Sequence, residues 1–299
     1  MNIKIWLQAF RLRTLPLALS NAVMGSFLAL ADGRFRWPVL VLTLCTITFL
    51  QILSNLANDY GDAVSGKDTQ ERTGPQRVTV SGLVTRKEMK RMIGIFISLS
   101  LLSGTLLIFF GLKGLSWKEP VVFFVLGLGA IAAALKYTLG KKPYGYKGLG
   151  DLFVFLFFGL LGVIGTYYLH TNWFEIHVII PAVIIGLFST GVLNINNLRD
   201  TETDRKTGKL TLAVQFGDDF ARKYHILLLA GGWFFCLAYL GIHYQSPWQG
   251  LCLLSLPLFI RNGKIVLHEH APERLNRELK NLALATFLFA LLFGLGMSL

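Results

Sequence analysis

The stretch Asn194-Ile-Asn-Asn-Leu-Arg-Asp-Thr-Glu-Thr-Asp204 follows directly on a long apolar run and is rich in side-chain oxygens. Asn196, Asp200 and Asp204 are spaced four residues apart, which puts them on one face of a helix. Like charges one helical turn apart repel each other unless a cation offsets them. Hard oxygen ligands of this kind suit Mg²⁺. The stretch therefore predicts a magnesium site at the end of an apolar helix.

An earlier segment, Asn55-Leu-Ala-Asn-Asp-Tyr-Gly-Asp62, repeats this pattern, with Asn58 and Asp62 again four residues apart. The likeness continues beyond it, because Asp62-Ala-Val-Ser-Gly66-Lys67 and Asp204-Arg-Lys-Thr-Gly208-Lys209 both read Asp-x-x-x-Gly-Lys. Matched polar segments in two hydrophobic halves point to a binding site in a membrane protein.

The composition predicts an all-α, multi-pass integral membrane protein. Of 299 residues, 53% are hydrophobic and only 15% are charged, whereas soluble domains carry about 25% charged residues. Apolar runs of about 20 residues, long enough to cross a bilayer, recur along the chain. The connections leave no room for a soluble domain, so residues 1–299 are interpreted as one transmembrane domain that starts with a short surface helix over residues 1–13. Nine spans are predicted, at residues 14–32, 37–58, 91–112, 119–138, 150–170, 176–197, 223–243, 247–264 and 281–299.

The positive charges indicate the orientation. Of the 29 Lys and Arg residues, 25 lie on the side of the membrane that holds the N-terminus and both Asn/Asp motifs, leaving Arg34, Arg36, Lys113 and Lys118 on the other. The positive-inside rule therefore predicts motifs on the cytoplasmic face of the cell's inner (plasma) membrane, with the N-terminus inside and the C-terminus outside. Because the net charge of +12 is spread over the ends of apolar runs, it does not indicate nucleic-acid binding.

Basic side chains lie close to the acidic motifs in the sequence. Mg²⁺ is usually bound through a few carboxylates and substrate phosphates, while Lys and Arg take the remaining phosphate charge. The expected ligand is therefore a phosphate or diphosphate ester presented at the membrane surface. The basic residues concerned are Lys67, Arg72, Arg77, Arg205, Lys206 and Lys209.

Together these motifs resemble the UbiA superfamily of intramembrane prenyltransferases, and more narrowly its menaquinone-synthesis branch, which prenylates 1,4-dihydroxy-2-naphthoate. The resemblance covers most of the chain in the expected order. The first motif departs from the usual pattern, which has its last Asp at the position of Gly66, so Asp68 is the candidate for that ligand. The matching segments are Arg13-Thr-Leu-Pro16, Asn55 to Asp62, Arg72-Thr-Gly-Pro-Gln-Arg77, Lys142-Pro-Tyr-Gly-Tyr-Lys-Gly-Leu-Gly-Asp151, Gly165-Thr-Tyr-Tyr168, and Asn196 to Ala213.

The resemblance implies nine helices around a central cavity, with Mg²⁺ binding the diphosphate of a polyprenyl donor. Loss of diphosphate would leave an allylic cation, which the naphthoate ring would attack while losing its carboxylate as CO₂. Asn58, Asp62, Asp68, Asn196, Asp200 and Asp204 are the implied metal ligands. The implied diphosphate-binding residues are Lys67, Arg72, Arg77, Lys142, Arg205 and Lys209.

Water destroys such a cation, so the cavity should be dry and lined by aromatic faces. The run Phe153-Val-Phe-Leu-Phe-Phe158, with Tyr167 and Tyr168, is the predicted wall. Tyr144 is a further candidate for substrate binding. Asp151 is either the N-cap of an apolar helix or a residue that orients the acceptor.

Two alternatives remain open at this point. Within the same chemistry, the acceptor could be 4-hydroxybenzoate. In another class, the chain could be a secondary transporter of an anionic solute, with the two motifs as midplane sites. The position of the carboxylates at the ends of spans, and not at mid-bilayer depth, argues against transport.

Overall fold

The computed structural model describes residues 3–66, 77–140 and 143–299, and within these ranges the chain forms helices and no strand. In the part of the chain that the structure describes, nine segments are long and apolar enough to span a membrane, which confirms the predicted number. The α-helices are α1 (Ile3–Phe10), α2 (Leu15–Ala31), α3 (Trp37–Ser65), α4 (Arg86–Gly111), α5 (Lys118–Lys136), α6 (Gly150–Val154), α7 (Gly165–Thr171), α8 (Ile179–Arg199), α9 (Thr201–Lys206), α10 (Leu212–Phe216), α11 (Asp218–Ile242), α12 (Leu256–His268) and α13 (Pro272–Ser298).

The first motif lies on a helix. Helix α3 continues seven residues beyond the predicted end at residue 58, to Ser65. Asn58 and Asp62 therefore occupy successive turns of one helical face. The helix ends at Gly66, whose left-handed φ of 65° is accessible to glycine at little cost.

The second motif keeps its predicted face across a short break. Helix α8 ends at Arg199 and α9 begins at Thr201, with Asp200 between them. Backbone hydrogen bonds still join Asp200 N to Asn196 O (3.2 Å) and Asp204 N to Asp200 O (2.8 Å). This motif also closes at a left-handed glycine, Gly208, with a φ of 67°. The two motifs that are alike in sequence thus also end alike, each at a glycine in the left-handed conformation.

Small residues allow the spans to approach closely. A Cβ on Gly159 would lie 2.6 Å from the Cα of Gly186 on α8, and one on Gly25 of α2 would lie 2.6 Å from the carbonyl oxygen of Val163. Such small residues are typical of packed transmembrane helices, where van der Waals contact replaces the hydrophobic effect. Helix α8 consequently packs against α11, α13 and the span that contains Gly159.

That span, residues 150–171, changes its helical form midway. Between α6 and α7, residues Phe155–Ile164 form a π-helix, a rare form that often marks a functional site. Its wider turn leaves Phe155 against Gly186, while Phe157 and Phe158 face the centre of the molecule. The sequence did not predict this form.

A cavity of about 440 Å³ lies between the helices. Its walls come from α2, α3, α5, α8 and the span at residues 150–171. Most of the wall is apolar, whereas one end carries the Asn and Asp side chains of both motifs. The fold therefore brings the two motifs together at the polar end of an apolar chamber.

Candidate active site

Asp62 lies at the centre of the polar end, where only 1% of its surface is exposed. The guanidinium of Arg77 forms an ion pair with its carboxylate, and the hydroxyl of Tyr146 donates a hydrogen bond to Oδ1. The Lys209 ammonium lies 3.3 Å from Oδ2. Three donors from three separate parts of the chain therefore hold one carboxylate from the first motif.

Lys209 joins the two motifs. Its Nζ, besides its contact with Asp62, lies 3.7 Å from Oδ1 of Asp204 and 5.1 Å from the centre of the Tyr146 ring. The left-handed turn at Gly208, directly before Lys209, lets the chain turn back toward α3. The Asp-x-x-x-Gly-Lys pattern in the second motif thus supplies a cation shared by both motifs.

Asp200 has its own cation. The guanidinium of Arg199 donates to both carboxylate oxygens of Asp200, at 2.8 and 2.7 Å, and to Oδ1 of Asn196 at 2.9 Å. Arg199 and Asp200 are each only 5% exposed. A bidentate, charge-assisted contact of this kind fixes the position of the carboxylate.

Tyr146 is held as a hydrogen-bond donor by its surroundings. Burial, and then the nearby Asp62 carboxylate, raise the pKa of Tyr146 well above its ordinary value. The phenol therefore stays protonated at any working pH and keeps donating to Asp62. Burial likewise raises the pKa of Tyr137, which lines the same cavity.

The donor set fits Mg²⁺. Carboxylates from Asp62, Asp200 and Asp204 and amides from Asn58 and Asn196 all line one cavity, and such oxygens are the ligands that Mg²⁺ takes. Within the described ranges, no three His, Cys, Asp or Glu side chains are close enough to hold an ion by themselves.

Aromatic rings form one wall of the cavity below this polar end. The Tyr144 and Phe153 rings stack with centroids 4.0 Å apart, and Phe153 stacks on Phe157 at 6.0 Å. The Tyr137 ring meets Tyr144 edge to face at 5.3 Å. Phe153, Phe157 and Phe158 of the predicted aromatic run line the cavity, whereas Phe155 of the same run lies against Gly186 and does not.

The structure brings most of the candidate residues together, since Asn58, Asp62, Arg77, Tyr144, Asn196, Asp200, Asp204 and Lys209 all line the cavity. Lys67, Asp68, Arg72 and Lys142 lie outside the described residues. Arg205 is exposed on α9 and is not among the described residues that line the cavity.

Tyr167 lies away from the predicted aromatic wall. Its hydroxyl donates to Asp32, just after the end of α2 that is remote from the motifs. The Tyr168 ring stacks on Phe123, 5.4 Å away between centroids. The expectation that these two tyrosines line the cavity is therefore corrected: Gly165, Thr166 and Leu169 of the same span line it, whereas Tyr167 and Tyr168 lie on other faces of the helix, against Asp32 and Phe123.

Asp151 is buried beside the cavity, with 7% of its surface exposed, but is not among the described lining residues. Leu149, and not Asp151, is the N-cap of α6, and no side chain caps that helix end. The carboxylate oxygen Oδ1 of Asp151 has no hydrogen-bond partner among the described residues. The capping interpretation is therefore wrong, and a role in orienting the acceptor stays a prediction.

Two residues of the site were missed in the sequence. Tyr146 and Arg199 both line the cavity and contact motif carboxylates. Both fall within segments that carried the family resemblance, yet neither has a spacing relation to its partner that would single it out. Arg199 adjoins Asp200, and adjacent residues on a regular helix do not face each other.

The fold and the site define a cavity between apolar helices, with the carboxylates of both motifs and their basic partners at one end and aromatic side chains in its wall. The model of the UbiA prenyltransferase family matches residues 18–287. The chain belongs to the UbiA prenyltransferase family, which confirms the resemblance.

Two curated relatives are similar over nearly their whole length, and both are named 1,4-dihydroxy-2-naphthoate octaprenyltransferase. The protein from Escherichia coli (strain K12) is 44% identical over 97% of this chain and 94% of its own. The protein from Haemophilus influenzae is also 44% identical, over 99% of this chain and 96% of its own.

Solved structures share the fold. A UbiA homologue from Aeropyrum pernix K1 superimposes with a TM-score of 0.70 at 16% identity, over 93% of this chain and 96% of that one. A UbiA homologue from Archaeoglobus fulgidus, solved bound to GPP and Mg²⁺, gives a TM-score of 0.69 at 17% identity, over 98% of this chain and 99% of that one.

Proposed function

We propose that residues 1–299 form one catalytic unit that transfers a polyprenyl group from polyprenyl diphosphate to 1,4-dihydroxy-2-naphthoate. The products would be CO₂, diphosphate and the prenylated quinol, demethylmenaquinol, in menaquinone biosynthesis. The observation that carries the proposal is the meeting of Asp62, Asp200 and Asp204 at the polar end of an apolar, aromatic-lined cavity. The names of the 44% identical relatives support the choice of acceptor.

The polar end would bind the donor's diphosphate. When bound, Mg²⁺ would be held by Asp62, Asp200 and Asp204 with Asn58 and Asn196, and would stabilise negative charge on the leaving diphosphate. Arg77 and Lys209 lie beside the Asp62 carboxylate. Their positive charges would also stabilise the negative charge that develops on the phosphate oxygens. By resemblance, Lys67, Asp68, Arg72, Lys142 and Arg205 would complete the donor site.

The chemistry needs only one new bond. The bond between the prenyl C1 and the diphosphate oxygen breaks, and C1 joins the ring carbon that carries the carboxylate. The carboxylate then leaves as CO₂ and returns its bonding electron pair to the ring, so no base has to remove a proton there. Phe153, Phe157 and Tyr144 would shield the allylic cation from water and stabilise it through their π faces.

The polar end would lie at the cytoplasmic surface of the inner membrane. The polar parts of both substrates would be available on that side. The unequal distribution of Lys and Arg supports this orientation. Labelling of single engineered cysteines with a membrane-impermeant maleimide tests it. A cysteine at position 65 should react only after the membrane is permeabilised, so that the reagent reaches the cytoplasmic side. A cysteine at position 246 should already react in intact cells.

The function is tested with purified protein, a polyprenyl diphosphate and Mg²⁺, offered 1,4-dihydroxy-2-naphthoate and 4-hydroxybenzoate in parallel reactions. Mass spectrometry should find the decarboxylated, prenylated naphthalene product, and EDTA should abolish it. Prenylated hydroxybenzoate as the main product would contradict the proposed acceptor, and the absence of product from both acceptors would contradict the proposed activity.

A further inference from the structure

Arg199 is one of the most constrained side chains at the polar end. Only 5% of its surface is exposed, and it donates three hydrogen bonds to Asp200 and Asn196 of the second motif. A fourth runs from Nη1 to Oδ1 of Asn276 on α13, at 2.8 Å. One guanidinium therefore ties two proposed metal ligands to the last transmembrane helix.

Its anchor on α13 is itself fixed. Glu278, two residues beyond Asn276, accepts a hydrogen bond from Asn262 of α12 at 2.9 Å and another from Asn281 at 2.9 Å. Buried polar contacts of this kind hold transmembrane helices in register. The position of Arg199 is thus set from two sides, by α8 and by α13.

The guanidinium occupies the atoms that a metal would need. It donates to both carboxylate oxygens of Asp200 and to the amide oxygen of Asn196. A buried carboxylate without a counter-charge is costly, and the Arg199 guanidinium supplies that counter-charge to Asp200. A divalent cation approaching the same oxygens meets a positive charge in contact with them, and such repulsion is strong in a low-dielectric site.

We propose that Arg199 is a positioning residue that stands in for the metal at Asp200 and Asn196, so that Mg²⁺ binds tightly only together with diphosphate. The negative diphosphate offsets the repulsion between Arg199 and Mg²⁺, whereas Mg²⁺ alone has to overcome it. This inference rests on the proposed function of the polar end as a metal–diphosphate site. In this role, Arg199 makes tight Mg²⁺ binding depend on diphosphate.

The test is calorimetric titration of Mg²⁺ alone into the purified full-length protein. Arg199→Gln removes the cation and should tighten the dissociation constant of Mg²⁺ by about tenfold or more. Arg199→Lys keeps the charge without the bidentate contact, so its Mg²⁺ affinity should stay near the wild-type value while kcat falls. The split between metal affinity and kcat distinguishes positioning from a structural role.

Arg222→Gln is the matched control, because Arg222 is an equally buried arginine (4% exposed) whose guanidinium bonds the carbonyl oxygen of Glu269. Its Mg²⁺ affinity should equal that of the wild type. If Arg199→Gln does not fold, Asn276→Ala loosens the same guanidinium and should tighten Mg²⁺ binding about threefold by a partial loss of the same repulsion.

A preformed magnesium diphosphate complex is titrated in parallel. If the wild type binds this complex and the folded Arg199→Gln protein binds Mg²⁺ alone no more tightly than the wild type, the role of Arg199 is refuted and the proposed function stands. Unchanged Mg²⁺ affinity in folded Asn276→Ala, where that variant replaces Arg199→Gln, refutes it equally. If the wild type binds no magnesium diphosphate, the proposed function and this inference both fall.

Discussion

Replacing Tyr146 with Phe removes a single oxygen from the site. The hydroxyl donates to Oδ1 of Asp62, and both residues are buried, with 8% and 1% of their surfaces exposed. The ring stays, and with it the contact with the Lys209 ammonium. The variant therefore removes the hydrogen bond that Tyr146 donates to one proposed metal ligand while keeping the ring in place.

The size of the effect follows from the partners of Asp62. A hydrogen bond to a charged group contributes about 1.5–3 kcal/mol, which corresponds to roughly 10- to 150-fold in rate if it is lost entirely in the transition state. Asp62 keeps the ion pairs with Arg77 and Lys209. We therefore expect the lower end, a loss of about tenfold in kcat/KM.

The measurement is the initial rate of prenyl transfer at several Mg²⁺ concentrations, by chromatography of the quinol product. Tyr239→Phe is the control, because Tyr239 is buried (1% exposed) and stacks on His243 at the end of α11 remote from the motifs. It should keep nearly the wild-type rate. A folded Tyr146→Phe protein that loses less than about twofold would refute the assignment of Asp62 as a ligand that Tyr146 orients.

Four further variants test the metal site, the helix packing and the pH dependence of stability. Asp200→Ala and Asp204→Ala should each lower product formation at least about 100-fold, as expected for loss of preorganised charge stabilisation, while size-exclusion profiles stay unchanged; substantial turnover would contradict the metal site. Gly61→Ala should lower both the melting temperature and the rate, because its Cβ would lie 2.8 Å from the Cβ of Thr138; Gly94→Ala, which meets nothing within 4 Å, should change neither. Burial and the nearby His177 lower the pKa of His243. The folded protein therefore favours neutral His243, and the stability this contributes is present above the ordinary histidine pKa of about 6.5 and lost as the pH falls below it. In His243→Gln, the melting temperature should therefore decline less steeply as the pH is lowered.

The transmembrane architecture was predictable because its physical cause is local. Each apolar run is long enough to cross a bilayer, and the unequal Lys and Arg distribution indicates an odd number of crossings. The ends of the individual helices were less predictable. Helix α3 runs on to Ser65 because the polar residues of the first motif face a cavity within the bundle, whereas hydropathy alone places the end where polarity begins.

The motif residues were predictable from spacing, but their partners were not. Asn196, Asp200 and Asp204 follow a helical period, whereas Tyr146 and Lys209 reach Asp62 from distant segments. Such contacts depend on how the helices pack. The π-helix at Phe155–Ile164 has no sequence signature either, since an apolar run supports either helical form.

The position of Tyr167 was only partly predictable. It lies 16 residues after Asp151, and at about 1.5 Å of rise per residue this separation is roughly 24 Å, most of the bilayer's thickness. A residue at that distance from the polar end meets Asp32 at the opposite end. The rise along the span places Tyr167 far from the motifs, but Leu169 of the same helix end still lines the cavity, so it is the direction of the Tyr167 side chain that removes it from the wall.

The central claim is that the two Asn/Asp motifs form one metal–diphosphate site at the polar end of the cavity. The most direct measurement is an experimental structure with Mn²⁺ and an unreactive prenyl thiodiphosphate, with the metal located by its anomalous scattering. We expect metal density between Asp62 of α3 and the Asp200–Asp204 segment, with the thiodiphosphate bridging them. Metal and thiodiphosphate bound elsewhere, with both motifs unchanged, would contradict it.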